Sequence, residues 1–593
     1  MDIRYTEDLA EVRKALKYAE TNGLFLDLET TGLNPRTDSI VHIVIASGPN
    51  AAIVFPPQSL LLSELAGARP LLFCAHNMKF DLAFLYCVGV DLRLSCAVFR
   101  DTMLLQHLLN EEGPFGLDDI IQSRWQDPYK QIFWSKHDSY TDAPLNEQAA
   151  YAGRDTIYLQ KLYHTLVKEY NDDLMPPELI EHAHRLAMAL YDTEVTGIKV
   201  DLAYLTDLGC TLTVQSDKLF TELNAEAGAN REAVELDMYV EELDKRKTPK
   251  GKAGVERPAF NWDSNKQLMA LFYDKMELPV QKHKRKPTVN SEALEALAEI
   301  NPIANLLSRY RKLRKTYTSF VEGTLKHAHE GRVYPKFKIH GTVTGRISSA
   351  DPNFQQVPRD GGVRGIYVPD EGNILFSADM AQLEVVIAAH YSQDKALLSI
   401  IFDGASKHDI TANALKISRN TAKTINFAAQ YGATSRKFQQ ILGCSLNDAE
   451  DVFRIYWETY SGEKAVVDQC RLDVDDGMPI VNIMGRRRRF PDQFEAQWRR
   501  EEAYRAAYSA LIQGSGADLV HEACYMVAEK LKKLARGRLI AEIHDELVVE
   551  CKPEDYEFVA NIVKTEMEAP GVKWGLTVPL KAEVGKPKER WGK

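Results

Sequence analysis

The sequence predicts a protein of several domains that combine β-strands with α-helices. The chain has 593 residues, whereas a single hydrophobic core seldom grows beyond about 250–300 residues. Apolar runs of strand length begin near Leu24, Leu72, Ile374 and Leu539. Between them lie segments whose apolar residues recur with helical spacing. A mixed architecture with more than one core is therefore expected.

Composition predicts a soluble intracellular chain. Apolar residues make up 45% and charged residues 26% of the chain, as in ordinary globular proteins. The sequence has no apolar run of about 18 residues, the length of a membrane span, and its N-terminus lacks a secretory signal pattern. Eight scattered Cys residues without a C-x-x-C pair are typical of reduced thiols. The net charge of −11 excludes a surface that is basic all over, although a local basic groove is enough to bind nucleic acid.

The first candidate site begins at GLFLDLETTG, which predicts a strand that carries Asp27 and Glu29. One residue separates the two, so a strand directs both carboxylates to the same face. Two like charges on one face repel each other unless a cation lies between them, and Mg²⁺ prefers oxygen ligands of this kind. The spacing fits a solvent-facing edge strand equally well.

Two later segments favour the metal interpretation. LLFCAHNMKFDLAFL predicts a strand followed by a helix start with Asn77 and Asp81, and QAAYAGRDTIYL predicts a helix with Tyr151 and Asp155 one turn apart. Together with the first pair, these side chains can converge on two metal ions and a water molecule. In such a set one metal activates the water and the other stabilises the leaving oxygen of a phosphodiester.

DLETTGL, N-x-x-x-D and Y-x-x-x-D, in this order, resemble the three motifs of DnaQ-like 3′–5′ exonucleases, the proofreading domain of DNA polymerases. The resemblance implies that Tyr151 positions the attacking water. It also implies that four carboxylates bind metal, namely Asp27, Glu29, Asp81 and Asp155.

The middle of the chain predicts helices and basic segments. A helix is expected from Glu178 to Leu190, with Gly197 as a C-cap further on. Residues 245–258 and 282–286 predict solvated loops, and a tip that grips the duplex backbone is the alternative. Residues 290–320 predict Lys- and Arg-rich helices suited to tracking phosphates. The order TEVTGIKVD, FNWDSNKQL, YRKLRKTYTSF resembles the thumb region of the bacterial DNA polymerase I family.

A loop after residue 335 carries Lys336, Lys338 and Arg346 among Gly, Ser and Thr residues. Such a loop can approach a nucleic-acid backbone closely and donate hydrogen bonds to phosphate and sugar. Its sequence TGRISSADPNFQQVP resembles a signature of family A DNA polymerases. The resemblance implies that Arg346 lies in the minor groove at the primer end.

ILFSADMAQLEVV predicts a strand that ends at Asp379 and continues into an apolar run. A lone Asp in this place usually caps a turn or helix, so a partner carboxylate has to decide its role. The segment resembles family A motif A, D-Y-S-Q-I-E-L-R. The resemblance implies that Asp379 binds metal, that Gln382 contacts the nucleotide, and that Glu384 excludes a ribose 2′-OH.

The same segment departs from the family motif at several positions. Met380 and Ala381 replace the usual Tyr and Ser, and Val385 and Val386 replace Leu and Arg. The change at position 380 is expected to be tolerated, because only the backbone carbonyl of that residue would bind metal. The change to Val386 removes a basic side chain and its packing contacts.

RNTAKTINFAAQYG places Arg419, Lys423, Phe427 and Tyr431 at steps of four, which stacks them along one face of a helix. Two cations followed by two aromatic rings fit a nucleoside triphosphate; a partly amphipathic core helix is the alternative. The segment resembles family motif B, in which Lys423 is also catalytic, and His408 resembles the His that contacts the β-phosphate. By resemblance, Phe427 in place of Tyr implies discrimination against dideoxynucleotides.

LIAEIHDELVVE predicts two apolar strands joined by a tight turn that presents Asp545. A hairpin tip that carries acids is a good metal platform, and it supplies the partner that Asp379 lacks. The segment resembles family motif C, which implies that Asp379 and Asp545 hold two Mg²⁺ ions, with Mn²⁺ as a substitute. One ion lowers the pKa of the primer 3′-OH, and the other neutralises the leaving pyrophosphate.

GRRRRFP and RAAYSALIQGSGADL also follow the family pattern. The resemblance implies that Arg505, Gln513 and His544 contact template and primer. Ser509 stands where the family has Asn, which puts that minor-groove contact in doubt. The four-Arg run is expected to give structural support and long-range attraction for DNA.

The resemblance implies an α/β and α+β multidomain fold, with a ribonuclease H-like exonuclease domain followed by a right-hand polymerase. Expected boundaries are 1–175 for the exonuclease and 176–593 for the polymerase, with the thumb at about 176–330, the palm at about 331–393 and 500–593, and the fingers at about 394–499. No segment remains for a 5′-nuclease domain. A Klenow-type enzyme, as in some phages and organelles, is therefore expected.

The predicted function is template-directed DNA synthesis with 3′–5′ proofreading, in the bacterial or phage-infected cytoplasm or in an organelle. Two Mg²⁺ ions are expected at each active site. The expected partners of a monomer are primer–template DNA, dNTPs and a single-stranded 3′ end, and a replisome partner is left open. A single-subunit RNA polymerase is an alternative that Glu384 and the exonuclease motifs argue against. A dedicated exonuclease with an inert C-terminal half would require the loss of Asp379, Asp545 or Lys423, and all three are present.

Overall fold

The computed structural model describes residues 1–245, 256–283, 286–430 and 432–592. Contacts divide the chain into two units. The first comprises residues 1–198, 334–350 and 369–589, and the second comprises the described residues of 199–333, 351–368 and 590–593. No helix in the described part of the chain is long and apolar enough to cross a membrane.

The first unit begins with a mixed six-stranded sheet, here called the N-terminal sheet. Its strands, in spatial order, are Asp2–Tyr5, Ala51–Phe55, Ile40–Gly48, Leu24–Thr30, Leu72–Ala75 and Val98–Asp101. The strand Leu24–Thr30 runs antiparallel to Ile40–Gly48 and parallel to Leu72–Ala75. It therefore lies inside the sheet, not at an edge.

Helices cover this sheet because their apolar faces need burial. The helix Leu145–Asp172 supplies Tyr151, Ala152, Leu162 and Leu166 to a core that also contains Val44 and Val54 of the sheet. The other helices of this region are Leu9–Asn22, Ser59–Gly67, Met78–Cys87, Thr102–Leu109, Leu117–Trp125 and Tyr129–Trp134. The predicted helix after residue 177 spans Glu178–Thr196 and ends at Gly197, whose φ of 69° suits a residue without Cβ.

A second sheet of four strands, here called the C-terminal sheet, forms from distant parts of the chain. Its spatial order is Arg538–Ile543, Glu546–Cys551, Ile374–Met380 and Ala582–Val584. The first two strands form the hairpin that the sequence predicts, and Ile374–Met380 pairs antiparallel with the second. The helices Gln497–Leu534 and Tyr556–Lys573 pack together beside this sheet.

The rest of the first unit is mainly helical. Its helices between the two halves of the C-terminal sheet are Leu383–Ser392, Lys395–Phe402, Lys407–Leu415, Arg419–Gln430, Ser435–Leu442, Leu446–Thr459 and Ser461–Asp475. Two short hairpins pair Lys336–Lys338 with Ser348–Ala350 and Ile480–Val481 with Arg487–Arg488.

The second unit has its own helical core. The helix Leu202–Lys245 is kinked at Gly228, where φ is 31° and ψ is −117°. The core joins this helix to Ser291–Ala298 and Pro302–Thr316. Shorter elements are the helical turns Asn265–Met269, Ala270–Lys275, Tyr317–Glu322 and Gly323–His327, and the strands Ile198–Val200, Lys282–His283, Lys286–Pro287, Arg332–Val333 and Tyr367–Val368. Most of the predicted basic segment 245–258, and residues 284–285 of the second, lie outside the described residues.

Candidate active sites

The first site lies on the N-terminal sheet. Asp27 and Glu29 are two residues apart on the strand Leu24–Thr30, so their side chains lie on the same face of the sheet. Asp155, on the helix Leu145–Asp172, completes a group whose carboxylate oxygens lie within 4.8 Å of one another. We call Asp27, Glu29 and Asp155 the acid cluster. Because the strand is internal, the solvent-facing edge interpretation is wrong, and the predicted convergence of these residues is confirmed.

Asp81 and Tyr151 complete the predicted set around the acid cluster. Asp81 is buried in the first turn of Met78–Cys87. It lies outside the group of three, but its charge still acts on Glu29. Tyr151 lies one helical turn from Asp155, with its ring 4.3 Å from that of Phe133 between centroids. Aromatic packing therefore holds the ring of Tyr151 in place beside the cluster.

Raised pKa values show that the carboxylates of the acid cluster have too little positive charge nearby. Burial, reinforced by the charge of Asp155, raises the pKa of Asp27 to about 7. Burial and the charge of Asp27 raise the pKa values of Glu29 and Asp81 well above the usual carboxyl range. Carboxylates held together against their repulsion are suited to hard divalent cations, which bind oxygen ligands. The donor set therefore fits a metal centre.

Two residues that the sequence analysis missed contact the cluster directly. The Lys130 ammonium lies 3.0 Å from Asp155 and 3.8 Å from Asp118, and it lowers the pKa values of Asp27 and Glu29. The Tyr129 hydroxyl donates a hydrogen bond to Asp155. Hydrogen bonds of this kind orient ligating carboxylates. Both residues belong to the short helix Tyr129–Trp134, whose sequence carries no motif that would single them out.

The second site lies on the C-terminal sheet. Asp379 pairs in register with Glu546, next to the hairpin turn that contains His544 and Asp545. The Met380 amide donates a hydrogen bond of 3.0 Å to the Asp545 carbonyl. This bond fixes the end of the strand Ile374–Met380 against the tip of the hairpin. Both Asp side chains are half-buried. The predicted pairing of Asp379 with the hairpin is thus confirmed, and two half-buried carboxylates at adjoining strand ends suit divalent cations.

Asp545 also lies on the wall of a cavity of about 550 Å³. Four other residues predicted to bind nucleotide line the same cavity, namely Gln382, Glu384, His408 and Phe427. The left-handed backbone of Gln382, with φ of 50°, starts the helix Leu383–Ser392 and so turns the chain from the strand into the cavity wall. The sequence motifs are far apart in the chain, and the fold brings them to one space.

The helix Arg419–Gln430 presents its predicted binding face to solvent. Arg419, Lys423 and Phe427 are exposed, whereas Ala422 and Ile425 on the other side are buried. The exposed face is therefore accessible to a ligand, and the amphipathic pattern by itself leaves both interpretations of the helix open. Burial lowers the pKa of His408, and the nearby charges of Arg419 and Lys423 lower it further. Tyr431, also predicted on this face, lies outside the described residues.

Further polar residues of the cavity wall were not predicted. Glu463 is buried and accepts a hydrogen bond of 2.8 Å from the Tyr508 hydroxyl, and Lys407 lies 3.3 Å away. Asn426 accepts a bond of 2.8 Å from Thr411 and thereby links the two helices that carry the predicted nucleotide contacts. An acid in the first turn of a helix is too common to signal a site.

Arg346 and Glu384, predicted as a DNA contact and a sugar gate, form an ion pair of 2.8 Å. Each is partly exposed, with 37% and 30% of the side chain accessible. Arg346 thus fixes the position of the Glu384 carboxylate at the cavity wall. The sequence motifs do not show this pair, because the two residues belong to different motifs.

The remaining predicted DNA contacts lie on the long helix and the hairpin. Arg505 is exposed and Gln513 is buried, both on Gln497–Leu534, and His544 is exposed in the hairpin turn with φ of 63°. Ser509 lies on the same helix and is half-buried. No distance in the structure tests these DNA contacts, so they stay predictions.

The four-Arg run gives the structural support that was predicted. Arg486 and Asp518 form a buried ion pair of 2.8 Å. Arg487 pairs with Asp173 at 2.7 Å. Arg488 and Arg489 pair with Glu111 at 3.2 and 3.1 Å. Every guanidinium of the run therefore has a carboxylate partner within the first unit.

The departures from the family motif at 380 and 386 fall on buried positions. Met380 is 2% exposed and Val386 3% exposed. Val386 packs within the apolar side of Leu383–Ser392, beside Leu383 and Ile387. This local environment is apolar, as Val requires.

The chain has two separate carboxylate centres, one of them beside a cavity lined by Lys407, His408 and the exposed Phe427 ring. This is the equipment of a phosphoryl-transfer protein that acts on nucleotides or nucleic acids. Residues 231–593 match the family model described as DNA polymerase family A, and residues 3–171 match that described as 3′-5′ exonuclease. The chain belongs to DNA polymerase family A.

Curated relatives and a solved structure are similar over nearly the whole chain. DNA polymerase I of Chloroflexus aurantiacus is 27% identical over 98% of this chain, which spans 62% of that relative. DNA polymerase I of Aquifex aeolicus is 29% identical over 100% of both. The chain spans about half to two thirds of the length of most of these curated relatives.

A solved structure described as the POL domain of Pol1 from M. smegmatis in complex with DNA primer-template and dNTP matches with a TM-score of 0.79 and 23% identity. The match covers 99% of each chain. This likeness shows the fold and, together with the two family matches, confirms the predicted mixed multidomain class.

Proposed function

We propose that the chain is a template-directed DNA polymerase that extends a primer 3′ end with deoxynucleotides and proofreads it with a 3′–5′ exonuclease. One observation carries the proposal: the hairpin tip with Asp545 and four residues predicted to bind nucleotide line the same cavity, and the strand Ile374–Met380, which carries Asp379, pairs with that hairpin. The Phe427 ring can pack against a base, and the Asp545 carboxylate would hold the cation that accompanies a triphosphate.

In this proposal the helix Arg419–Gln430 binds the incoming nucleotide. Arg419 and Lys423 offer their cations to the triphosphate, and His408 lies near both. The Phe427 ring, 55% exposed, is available to the base and sugar. Glu384, paired with Arg346 on the cavity wall, would exclude a ribose 2′-OH in this proposal. These residues bind and orient; Asp379 and Asp545 hold the catalytic cations.

Mg²⁺ is the proposed cation at both centres, where it would activate the attacking hydroxyl or water and stabilise the leaving oxygen. At the acid cluster, Tyr151 positions the water, and Tyr129 and Lys130 orient Asp155. A mispaired end that frays would reach this cluster as a single strand, which is editing by a second, hydrolytic site.

The proposed partners are primer–template DNA and dNTPs, and the match to a Pol1 domain in complex with such ligands supports them. Residues 1–175 serve as the exonuclease in this proposal. The rest forms the right hand, with its thumb, palm and fingers at the boundaries given above. A cytoplasmic or organellar location fits these partners. The alternatives, an RNA polymerase or a dedicated exonuclease, find no support in a family match to DNA polymerases that spans the C-terminal half.

A primer-extension assay with matched and mismatched 3′ ends tests the proposal. Asp545→Ala should abolish extension and leave the trimming of single strands intact. Asp27→Ala combined with Glu29→Ala should abolish trimming and leave extension intact. Extension by the Asp545→Ala variant at the wild-type rate would contradict the polymerase assignment, and undiminished trimming by the double variant would contradict the exonuclease assignment. Because each variant serves as the control of the other, a folding defect is recognised by the loss of both activities.

A further inference from the structure

Three buried side chains outside both active sites converge between two helices of the first unit. His182 lies on Glu178–Thr196, and Asp518 and His521 lie three residues apart on one face of Gln497–Leu534. Their exposed fractions are 4%, 0% and 1%. Together they form what we call the His–Asp–His cluster. The function proposed above makes no use of it.

The geometry of the cluster fits a transition-metal ion. One donor atom from each residue lies within 4.8 Å of the other two. The His182 Nε2 is 3.3 Å from the Asp518 Oδ1. Two ligands of a tetrahedral zinc ion, with bonds of about 2.0 Å, lie about 3.3 Å apart. The His182 and His521 rings lie 6.1 Å apart between centroids, so a common ligand can reach both.

Three of the four imidazole nitrogens of this cluster are buried without a hydrogen-bond partner among the described residues. Within the described part of the chain, neither nitrogen of His182 nor the Nδ1 of His521 has a hydrogen-bond partner. The 3.3 Å contact of His182 Nε2 with Asp518 Oδ1 falls outside strict hydrogen-bond geometry, but the two groups are close enough for His182 to help Arg486 lower the pKa of Asp518. Buried polar groups in proteins are almost always satisfied, by protein, water or an ion. Two adjacent imidazoles with open nitrogens beside a carboxylate therefore point to a bound group.

The hydrogen bonds that Arg486 and Asn482 donate to Asp518 indicate what kind of group can bind here. The Arg486 Nη2 donates to Asp518 Oδ1 at 2.8 Å and its Nε to Oδ2 at 3.0 Å, while the Asn482 amide donates to Oδ2 at 2.7 Å. Three of the four lone pairs of the carboxylate are then used, and the remaining one belongs to the oxygen nearest His182. Hydrogen bonds of this kind orient a ligating carboxylate.

The same ion pair selects against hard cations. Because Arg486 already balances the charge of Asp518, a cation that depends on carboxylate charge, such as Mg²⁺, gains little here. Imidazole nitrogens instead suit Zn²⁺ and related transition metals. We propose that His182, Asp518 and His521 bind one zinc-class divalent ion. The ion cross-links the helix Glu178–Thr196 to Gln497–Leu534 and has a structural role.

Zinc content of the full-length protein tests this site. The chain is incubated with Zn²⁺ in excess Mg²⁺, which occupies the oxygen-only centres, then desalted and measured by inductively coupled plasma mass spectrometry. The wild type should retain about one zinc ion per chain, and His182→Gln and His521→Gln should each weaken binding by about tenfold or more. A wild type without zinc, or undiminished zinc in a His182→Gln, His521→Gln double variant, overturns the proposal and leaves a buried water as the occupant.

Two matched variants serve as controls for the zinc measurement. His184→Gln removes a neighbouring buried His whose Nε2 accepts a 2.8 Å bond from the Asp101 amide, and it should retain zinc. Asp27→Ala with Glu29→Ala removes the acid cluster and should also retain zinc. Loss of zinc in this double variant would assign the ion to the acid cluster and refute the proposal.

A thermal measurement covers the case in which the His variants do not fold. In the Asp27→Ala, Glu29→Ala background with excess Mg²⁺, added Zn²⁺ should raise the unfolding temperature, because a ligand that binds only the folded state stabilises it. An unchanged unfolding temperature with Zn²⁺ refutes the site without any His variant.

Discussion

Lys130 at the acid cluster allows a quantitative test of burial, because a second Lys–Asp pair involving the same long helix has nearly the same length. Lys130 lies 3.0 Å from Asp155, with side chains 15% and 5% exposed. Lys168 lies 2.9 Å from Asp172, with side chains 77% and 65% exposed. Asp155 and Asp172 both belong to the helix Leu145–Asp172. The two pairs therefore differ in their access to solvent, and the Lys130 ammonium also acts on the other acids of the cluster.

The two ion pairs are expected to stabilise the folded chain by different amounts, because the Coulomb energy of a pair depends on its burial. At 3.0 Å the Coulomb energy is about 1.4 kcal/mol in water and about 5.5 kcal/mol at an effective dielectric constant of 20. Removing one partner of a buried pair costs about 3–5 kcal/mol, whereas exposed pairs at this spacing contribute about 0.3–0.5 kcal/mol. We therefore expect Lys130→Met to destabilise the region around Asp155 by about 3–5 kcal/mol, whereas Lys168→Met, which removes a solvent-exposed pair, should have a much smaller effect.

Hydrogen exchange measured peptide by peptide over Leu145–Asp172 reports this local stability without requiring the whole chain to unfold in two states. The measurement is made in a chelator at about pH 8, which lies above the raised pKa of Asp27, so that this carboxylate is ionised and the Lys130 ammonium is a counter-charge close to it. Added Mg²⁺ should then restore part of the protection lost in Lys130→Met, because the ion replaces the missing charge. Equal protection in the two variants would refute the assignment of Lys130 as the counter-ion of the acid cluster.

The other predictions concern pH, sugar selection and packing. The pKa of Asp27 is raised to about 7 in the folded chain. The stability that this group contributes to the metal-free protein is therefore fully present below the ordinary carboxyl pKa and is lost as pH rises through about 7. Thermal stabilisation by Mg²⁺ should be larger at about pH 8 than at about pH 5.5, and an equal effect at the two pH values would contradict this prediction. Glu384→Ala should lower the preference for deoxy- over ribonucleotides by about 10–200-fold in single-nucleotide insertion, and an unchanged ratio rejects the gate. Val386→Arg should lower the free energy of unfolding in urea by roughly 3–5 kcal/mol, because the new guanidinium charge is buried without a partner. Val385→Arg, on the half-buried cavity wall, should have a small effect. Similar losses of stability in the two variants would show that burial at position 386 is not decisive.

Local sequence patterns predicted the strand, helix and hairpin positions of the carboxylates in both candidate sites, and the family resemblance implied their role. The alternation in Leu24–Thr30 put Asp27 and Glu29 on one face, and the turn between two apolar runs put Asp545 at a hairpin tip. Both features depend on periodicities of a few residues, which a sequence shows directly. The exposed face of Arg419–Gln430 followed from the same reasoning, because steps of four mark one side of a helix.

What the sequence did not show is which residues meet from distant segments. Lys130 reaches Asp155, Arg346 pairs with Glu384, and Glu463 meets Tyr508, but none of these contacts has a spacing rule that links its two residues. A lone Lys in a short helix or a Glu in a first turn is ordinary, and only the packing of helices against sheets gives it a partner. These partners are tertiary effects, and they are also the residues that set the charge balance of each site.

Charge balance explains why two of the candidate metal sites of the first unit, the acid cluster and the His–Asp–His cluster, call for different ions. The acid cluster gathers carboxylates whose repulsion raises their pKa values, with Lys130 as a partial counter-charge, so a cation with hard, ionic bonding gains most there. In the His–Asp–His cluster, Arg486 has already neutralised the only carboxylate, and open imidazole nitrogens remain. An ion that bonds to nitrogen gains most in that place. The same physical terms, applied to two sets of neighbours, thus predict that Mg²⁺ and Zn²⁺ occupy separate sites on one chain without displacing each other.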